Sequence, residues 1–137
     1  MANVLAIDVG TVRVGCAVGD DAVRIPFPVA TWPRASGEAE KEILRTLMGR
    51  AASTLVVGLP IGPNGERTTM CEIVEAFARR IERRAAISVV YVDESFSSLD
   101  ALDQLEGKRV PGQAIDSFAA CNILVRYFNS LPIEQLK

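Results

Sequence analysis

No histidine occurs among the 137 residues. That absence removes Ser-His-Asp and Cys-His nucleophile systems, imidazole general bases and histidine-held metals together. Any catalysis has to run on carboxylates, lysine or a bound cation. Cysteine is scarce, and Cys16, Cys71 and Cys121 are odd in number, widely spaced and without a C-x-x-C pair. They suggest neither a disulfide framework nor a zinc site and read as buried small hydrophobes. Aromatic residues are only 6% of the chain. Trp32, Tyr91 and Tyr127 are too few, and Tyr127 too well in register with an apolar stripe, to form a row of base-stacking platforms. A basic surplus is also missing: 15 Lys and Arg face 17 Asp and Glu, for a net charge of −2. A nucleic-acid partner could then be held only by a local basic patch, not by global charge. No apolar run reaches the ~18–20 residues that span a bilayer, and Met1 to Asp8 carries no basic n-region, so the chain reads as cytoplasmic with no membrane partner.

What remains is an ordinary globular balance of 49% apolar and 23% charged residues. The length suits one domain of roughly 100–200 residues, and no repeat, low-complexity tract or linker interrupts it. Val4 to Val9 is a short apolar run. After Gly10-Thr11, Val12, Val14, Cys16 and Val18 alternate with smaller or polar residues, which predicts a hairpin with Gly10 at a positive φ. Arg24 to Trp32 is extended but carries Pro26 and Pro28, which cannot donate to a ladder and so favour a sheet edge.

Helical periodicity then appears from Gly37 to Ala52, through Ala39, Ile43, Leu44, Leu47, Met48 and Ala51. Thr54 to Leu59 reads as a buried strand. Thr69-Met70-Cys71-Glu72 has the form of a capping box opening a second helix with Met70, Ile73, Val74, Phe77 and Ile81 as its stripe. Ile87 to Val92 is the next strand, Ser97 or Ser98 caps a short helix through Leu105, and a last helix runs from about Gln113 to Asn129. The order β-β-β-α-β-α-β-α-α predicts an α/β fold, a mixed sheet covered by helices.

Three carboxylates sit where burial makes an acid costly. Asp8 ends an apolar strand and needs a partner. Asp93 and Glu94 follow the last strand at its carboxyl end, where open α/β sheets place ligands. Adjacent strand residues point to opposite faces, so one of the two shares a face with Asp8, and periodicity does not say which. Asp116 is in line with Ala119, Ala120, Ile123 and Tyr127, the buried stripe of the last helix. It either complements the helix dipole from the first turn or belongs to a site. Three such acids, with no nitrogen or thiolate ligand, would select Mg²⁺ or Mn²⁺, and a pair of these ions can activate water and stabilise the leaving oxygen in phosphodiester hydrolysis. The Asp8-Val9-Gly10-Thr11 turn with Gly15 is also similar to the phosphate hairpin of sugar-kinase and actin-like ATPases, whose second lobe this length cannot supply.

Taken in series, Ala6-Ile7-Asp8-Val9-Gly10-Thr11 with Arg13 and Gly15, Val57-Gly58-Leu59-Pro60 with Gly65, Val92-Asp93-Glu94-Ser95, and Ile115-Asp116-Ser117-Phe118-Ala119-Ala120 resemble the YqgF/RuvX family. That family is described as pre-16S ribosomal RNA processing nucleases and Holliday-junction-resolvase-like proteins. The resemblance covers nearly the whole chain and implies one RNase H-like domain over 1–137, with a five-stranded mixed sheet of three antiparallel strands and two parallel ones reached through crossover helices. It implies a metal-dependent nuclease in which Asp8, Glu94 and Asp116 are both catalytic and metal-binding, with Asp93 the lesser candidate. Gly10, Thr11, Arg13 and the Gly58-Leu59-Pro60 loop would border the substrate groove. Two departures stand out: Ser95 replaces the arginine usual after Asp-Glu, and the loop Gly107 to Gly112 is shorter and poorer in lysine than is usual.

Among the basic residues, Arg13, Arg67, Lys108 and Arg109 are placed near the acids and are the candidates for phosphate contacts. Arg79, Arg80, Arg83 and Arg84 read instead as a solvated face that complements a helix end. The expected partner is structured RNA or branched DNA. A resolvase, which cuts two strands in a related way, would work as a symmetric homodimer, and RNA processing would suit a monomer. The rival from another class is a non-catalytic nucleic-acid or ribosome-assembly binding module that keeps the fold.

Overall fold

The computed structural model describes residues 2–94 and 112–132, the stretch 112–117 by its backbone only. The predicted short helix from Ser97 or Ser98 to Leu105, and the loop 107–111 with Lys108 and Arg109, lie outside the described residues, as does Ser95. β1 (Asn3–Val9), β2 (Arg13–Asp20), β3 (Phe27–Pro33), β4 (Thr54–Leu59) and β5 (Ser88–Asp93) form one sheet in the order β3-β2-β1-β4-β5. β1 pairs antiparallel with β2 and parallel with β4, so it is central and is buried on both faces. β3 occupies an edge, as its prolines require; its ladder with β2 shifts register between Cys16 and Ala17, next to Pro28.

The parallel steps β1 to β4 and β4 to β5 are crossovers through α1 (Glu38–Gly49) and α2 (Thr69–Arg84). Both helices cover one face, where Leu5, Ile7, Val14, Cys16, Leu55 and Val57 meet Ile43, Leu47, Val74, Phe77 and Ile81. α3 (Gly112–Asn129) covers the other face, where Val4, Ala6, Ala17 and Val56 meet Ala120, Ile123, Leu124 and Phe128. The sheet residues under α3 are small because that helix lies close. A Cβ on Gly19 would come within 2.9 Å of the Phe128 ring, and one on Gly58 within 2.5 Å of Ile123 Cδ1.

Several sequence expectations are corrected by the packing. Met48 is 81% exposed and Ala51, at φ 51°, lies beyond α1, so the buried stripe there is narrower than its periodicity suggests. Val12 is 69% exposed because β2 starts one residue later. The capping box does not form: the N-cap of α2 is Thr68, without a side-chain cap, and its hydroxyl instead donates to the Pro60 carbonyl at 2.8 Å. That bond ties the start of α2 to the loop after β4 and satisfies a carbonyl that the end of the ladder leaves open. At the other end of the fold, the Arg24 guanidinium reaches the carbonyls of Phe128 (3.3 Å) and Pro132 (3.0 Å) and so closes the carboxyl end of α3.

Candidate active site

In β1, odd-numbered residues face α1 and α2, and the even-numbered Val4 and Ala6 face α3. Asp8 continues the even series, so its carboxylate emerges at the carboxyl end of the central strand under α3. Glycine flanks it on both neighbouring strands. Gly15 is its antiparallel partner on β2, and Gly58 lies one step beyond the Ile7 to Val57 pair on β4. The floor around this acid is therefore bare backbone.

Glu94 is the residue after β5, and it resolves the ambiguity left by the sequence. Its side chain is only 8% exposed and turns back over β4, with Cδ placed 2.8 Å from where a Gly58 Cβ would stand. It meets Asp8, and its carboxyl is pushed up to about 10: burial contributes most, then the Asp8 charge and a hydrogen bond with the Asp8 carboxyl, with Arg126 on α3 opposing. Asp93 is exposed at the strand end, and its backbone carbonyl accepts from Arg126 Nη1 at 2.9 Å. Glu94, not Asp93, thus shares the site with Asp8. Two carboxyls in contact, one of them raised by burial and by the other's charge, are an arrangement in which a divalent cation can take the place of a proton, and their hard oxygen donors suit Mg²⁺ or Mn²⁺.

Asp116 is the fifth residue of α3, one turn in from Gly112, and no acid stands in the first turn. The reading of Asp116 as a first-turn dipole partner is therefore corrected. Helical spacing sets residue 116 on the line of Ala120 and Ile123, both fully buried against the sheet. Its side chain lies outside the described atoms. Among the described residues no three His, Cys, Asp or Glu side chains are grouped to hold a metal.

The remaining candidates divide. Gly10 does not have the positive φ expected of it; glycine is needed because a Cβ would stand 2.9 Å from the Arg13 carbonyl, which the Gly10 amide meets at 2.8 Å. Thr11 and Arg13 are exposed on the same turn, next to Asp8. Arg67 is engaged with Glu75 through both terminal nitrogens, which holds the Glu75 carboxyl below the usual range. Arg80 and Arg84 are not simply solvated: both clasp Glu40, at 2.9 and 3.0 Å, and Arg80 lies 5.6 Å over the Phe77 ring. Sequence reasoning missed Arg126, for which an exposed helical arginine leaves no signal, and missed Gly58 as the space that admits Glu94. No described helix is long and apolar enough to cross a membrane.

A profile of the RuvX family, described as Holliday junction resolvase, matches residues 2–130. Among curated proteins, the chain is 36% identical over 130 residues to a protein of Chromobacterium violaceum, covering 90% of this chain and 95% of that one. It is 39% identical over 126 residues to one of Clavibacter sepedonicus, covering 88% and 78%. Both carry the name "Putative pre-16S rRNA nuclease". Among solved structures it is similar to RuvC of T. thermophilus in complex with a Holliday junction substrate, at 15% identity and a TM-score of 0.58, covering 95% of each chain. That likeness places the sheet and its helices in the RNase H-like fold that the motifs implied.

Proposed function

The chain belongs to the RuvX family, and from that membership we propose that it is a divalent-metal-dependent nuclease that hydrolyses phosphodiester bonds in structured RNA, as in maturing the 5′ end of pre-16S ribosomal RNA, or in branched DNA. The observation that carries this reading is the Asp8–Glu94 pair, two carboxylates in contact at the carboxyl end of the sheet on a glycine floor. A pair of like acids held together by burial is a costly feature that packing alone does not call for. Asp8, Glu94 and Asp116 would hold Mg²⁺ or Mn²⁺, which supplies Lewis acidity and a nucleophilic water. Asp8 and Glu94 would give up the proton between them to bind it, and Gly15 and Gly58 leave bare backbone beside the acids where a phosphodiester can approach. The whole of 1–137 acts as one nuclease domain, and a symmetric homodimer would adapt it to two-strand cutting.

The test is cleavage of structured RNA, single-stranded RNA and a four-way DNA junction with Mg²⁺ or Mn²⁺, by the parent protein and by Asp8→Asn and Asp116→Asn. Cleavage lost in both variants supports the three-acid site and names the substrate class. Folded parent protein that cuts nothing with either metal sinks the enzyme reading in favour of a binding module.

A further inference from the structure

Behind the β1–β2 turn lies a second feature, a cavity of about 410 Å³ lined by Thr11, Val12, Arg34, Ala35 and Arg80. Arg80 belongs to α2, so this cavity opens on the sheet face opposite α3. Each of its guanidiniums is anchored through Nε: Arg34 to the Thr11 carbonyl at 3.2 Å, Arg80 to Glu40 Oε1 at 2.9 Å. Among the described residues, no hydrogen bond engages the Nη atoms of either arginine. Glu40 is already shared, its other oxygen taken by Arg84 at 3.0 Å, so two guanidiniums divide one carboxylate here and Arg34 stands beside them with only a backbone carbonyl for anchor. Arg80 is further fixed by lying over Phe77. Guanidiniums tethered through Nε, with terminal donors unengaged among the described residues and a threonine beside them, match a tetrahedral oxyanion.

The position says which one. Asp8 and Thr11 are three residues apart, so their Cα atoms are separated by no more than about 10 Å. That span is within a few steps of a strand rising about 3.4 Å per nucleotide. We propose that the Arg34–Arg80 cavity seats a backbone phosphate of the nucleic acid whose scissile bond lies at the acid pair, so that the strand passes over the β1–β2 turn. The proposal deepens the nuclease reading and rests on it: Arg34 and Arg80 position the strand and take no part in the chemistry.

Equilibrium binding tests it, by fluorescence anisotropy in an Asp8→Asn background with EDTA, using a labelled four-way DNA junction and a labelled RNA stem-loop over a range of salt. Arg34→Gln leaves the Glu40 cluster intact and is expected to weaken binding about tenfold, as for loss of a charge-assisted hydrogen bond. It should also lower the slope of log K against log salt by about 0.7–0.9, one phosphate contact. Arg34→Lys should recover the slope but not the affinity, since the fork is lost. Arg80→Gln should match Arg34→Gln. Parent affinity and slope in folded Arg34→Gln overturn the proposal, as does failure of the background protein to bind either probe. Thermal stabilisation by inorganic phosphate that Arg34→Gln abolishes, with nucleic-acid binding unchanged, also overturns it, by assigning the cavity to a free anion. A parent protein that binds with the expected slope but never cleaves separates loss of the nuclease reading from loss of this seat.

Discussion

The two faces of the sheet are built to different ends. Under α1 and α2, large apolar side chains pack without interruption: Leu5, Ile7, Leu55, Phe77 and Ile81 are all within 1% of full burial. Under α3 the sheet offers Ala6, Ala17, Gly19 and Gly58, and at its carboxyl end the packing stops at Asp8 and Glu94. One face maximises contact, whereas the other gives up side-chain volume to bring a helix, and two acids, close to bare backbone. The tightest packing and the acid pair thus lie on opposite sides of the same five strands, which is why residues that look alike in the sequence should answer substitution in opposite ways.

The sharpest break in that comparison is Asp8→Asn. If Asp8 holds the metal as proposed, its loss should lower cleavage by at least about a hundredfold, since even outer-shell partners are worth 10–100-fold. In metal-free protein the same change removes the negative charge that helps force Glu94 to keep its proton, so the melting temperature should rise by roughly 2–5 °C. A fall in melting temperature would mean that the acid pair is structural. On the opposite face, Phe77→Ala should cost about 3–5 kcal/mol in denaturant unfolding, with residual native protein still binding metal.

Gly58→Ala probes the boundary between packing and site. Its Cβ would stand 2.5 Å from Ile123 Cδ1 and 2.8 Å from Glu94 Cδ. We expect a loss of about 1–3 kcal/mol together with weaker metal binding, of which Ile123→Val restores the stability but not the metal affinity. Full rescue of both would show that Glu94 does not need that space.

A further break concerns pH dependence. Glu94 has its carboxyl raised in the fold, so it contributes stability that is present at low pH, below the ordinary carboxylate range, and is lost as pH rises through about 10. With no histidine to titrate, metal-free protein should lose stability steadily between about pH 5 and 9. Glu94→Gln should flatten this slope, and Mg²⁺ or Mn²⁺ should stabilise more at the alkaline end, where no proton has to be displaced. Urea unfolding at several pH values reads both.

Much of this was legible along the chain. β4 at Thr54–Leu59 matches its sequence expectation residue for residue, because a buried parallel strand is a continuous apolar run that Gly58-Leu59-Pro60 then closes. The edge placement of β3 followed from proline alone. Asp8 stood out since an acid at the end of a buried strand has to be explained. The arginines of α2 were misjudged because clustered cations at a helix end have an ordinary local explanation, and nothing local reveals that Glu40, forty residues away, gathers two of them.

The sequence by itself determined the kinds of elements, their order and the chemistry available, through apolar period, proline and glycine placement and the lack of any histidine. Only the tertiary structure decided that Glu94 and not Asp93 meets Asp8, that Gly15 and Gly58 clear the ground beside it, and that Arg34 and Arg80 line one cavity. Those outcomes depend on strand register and on how closely a helix can approach a sheet, and both are set by contacts between residues far apart in the chain.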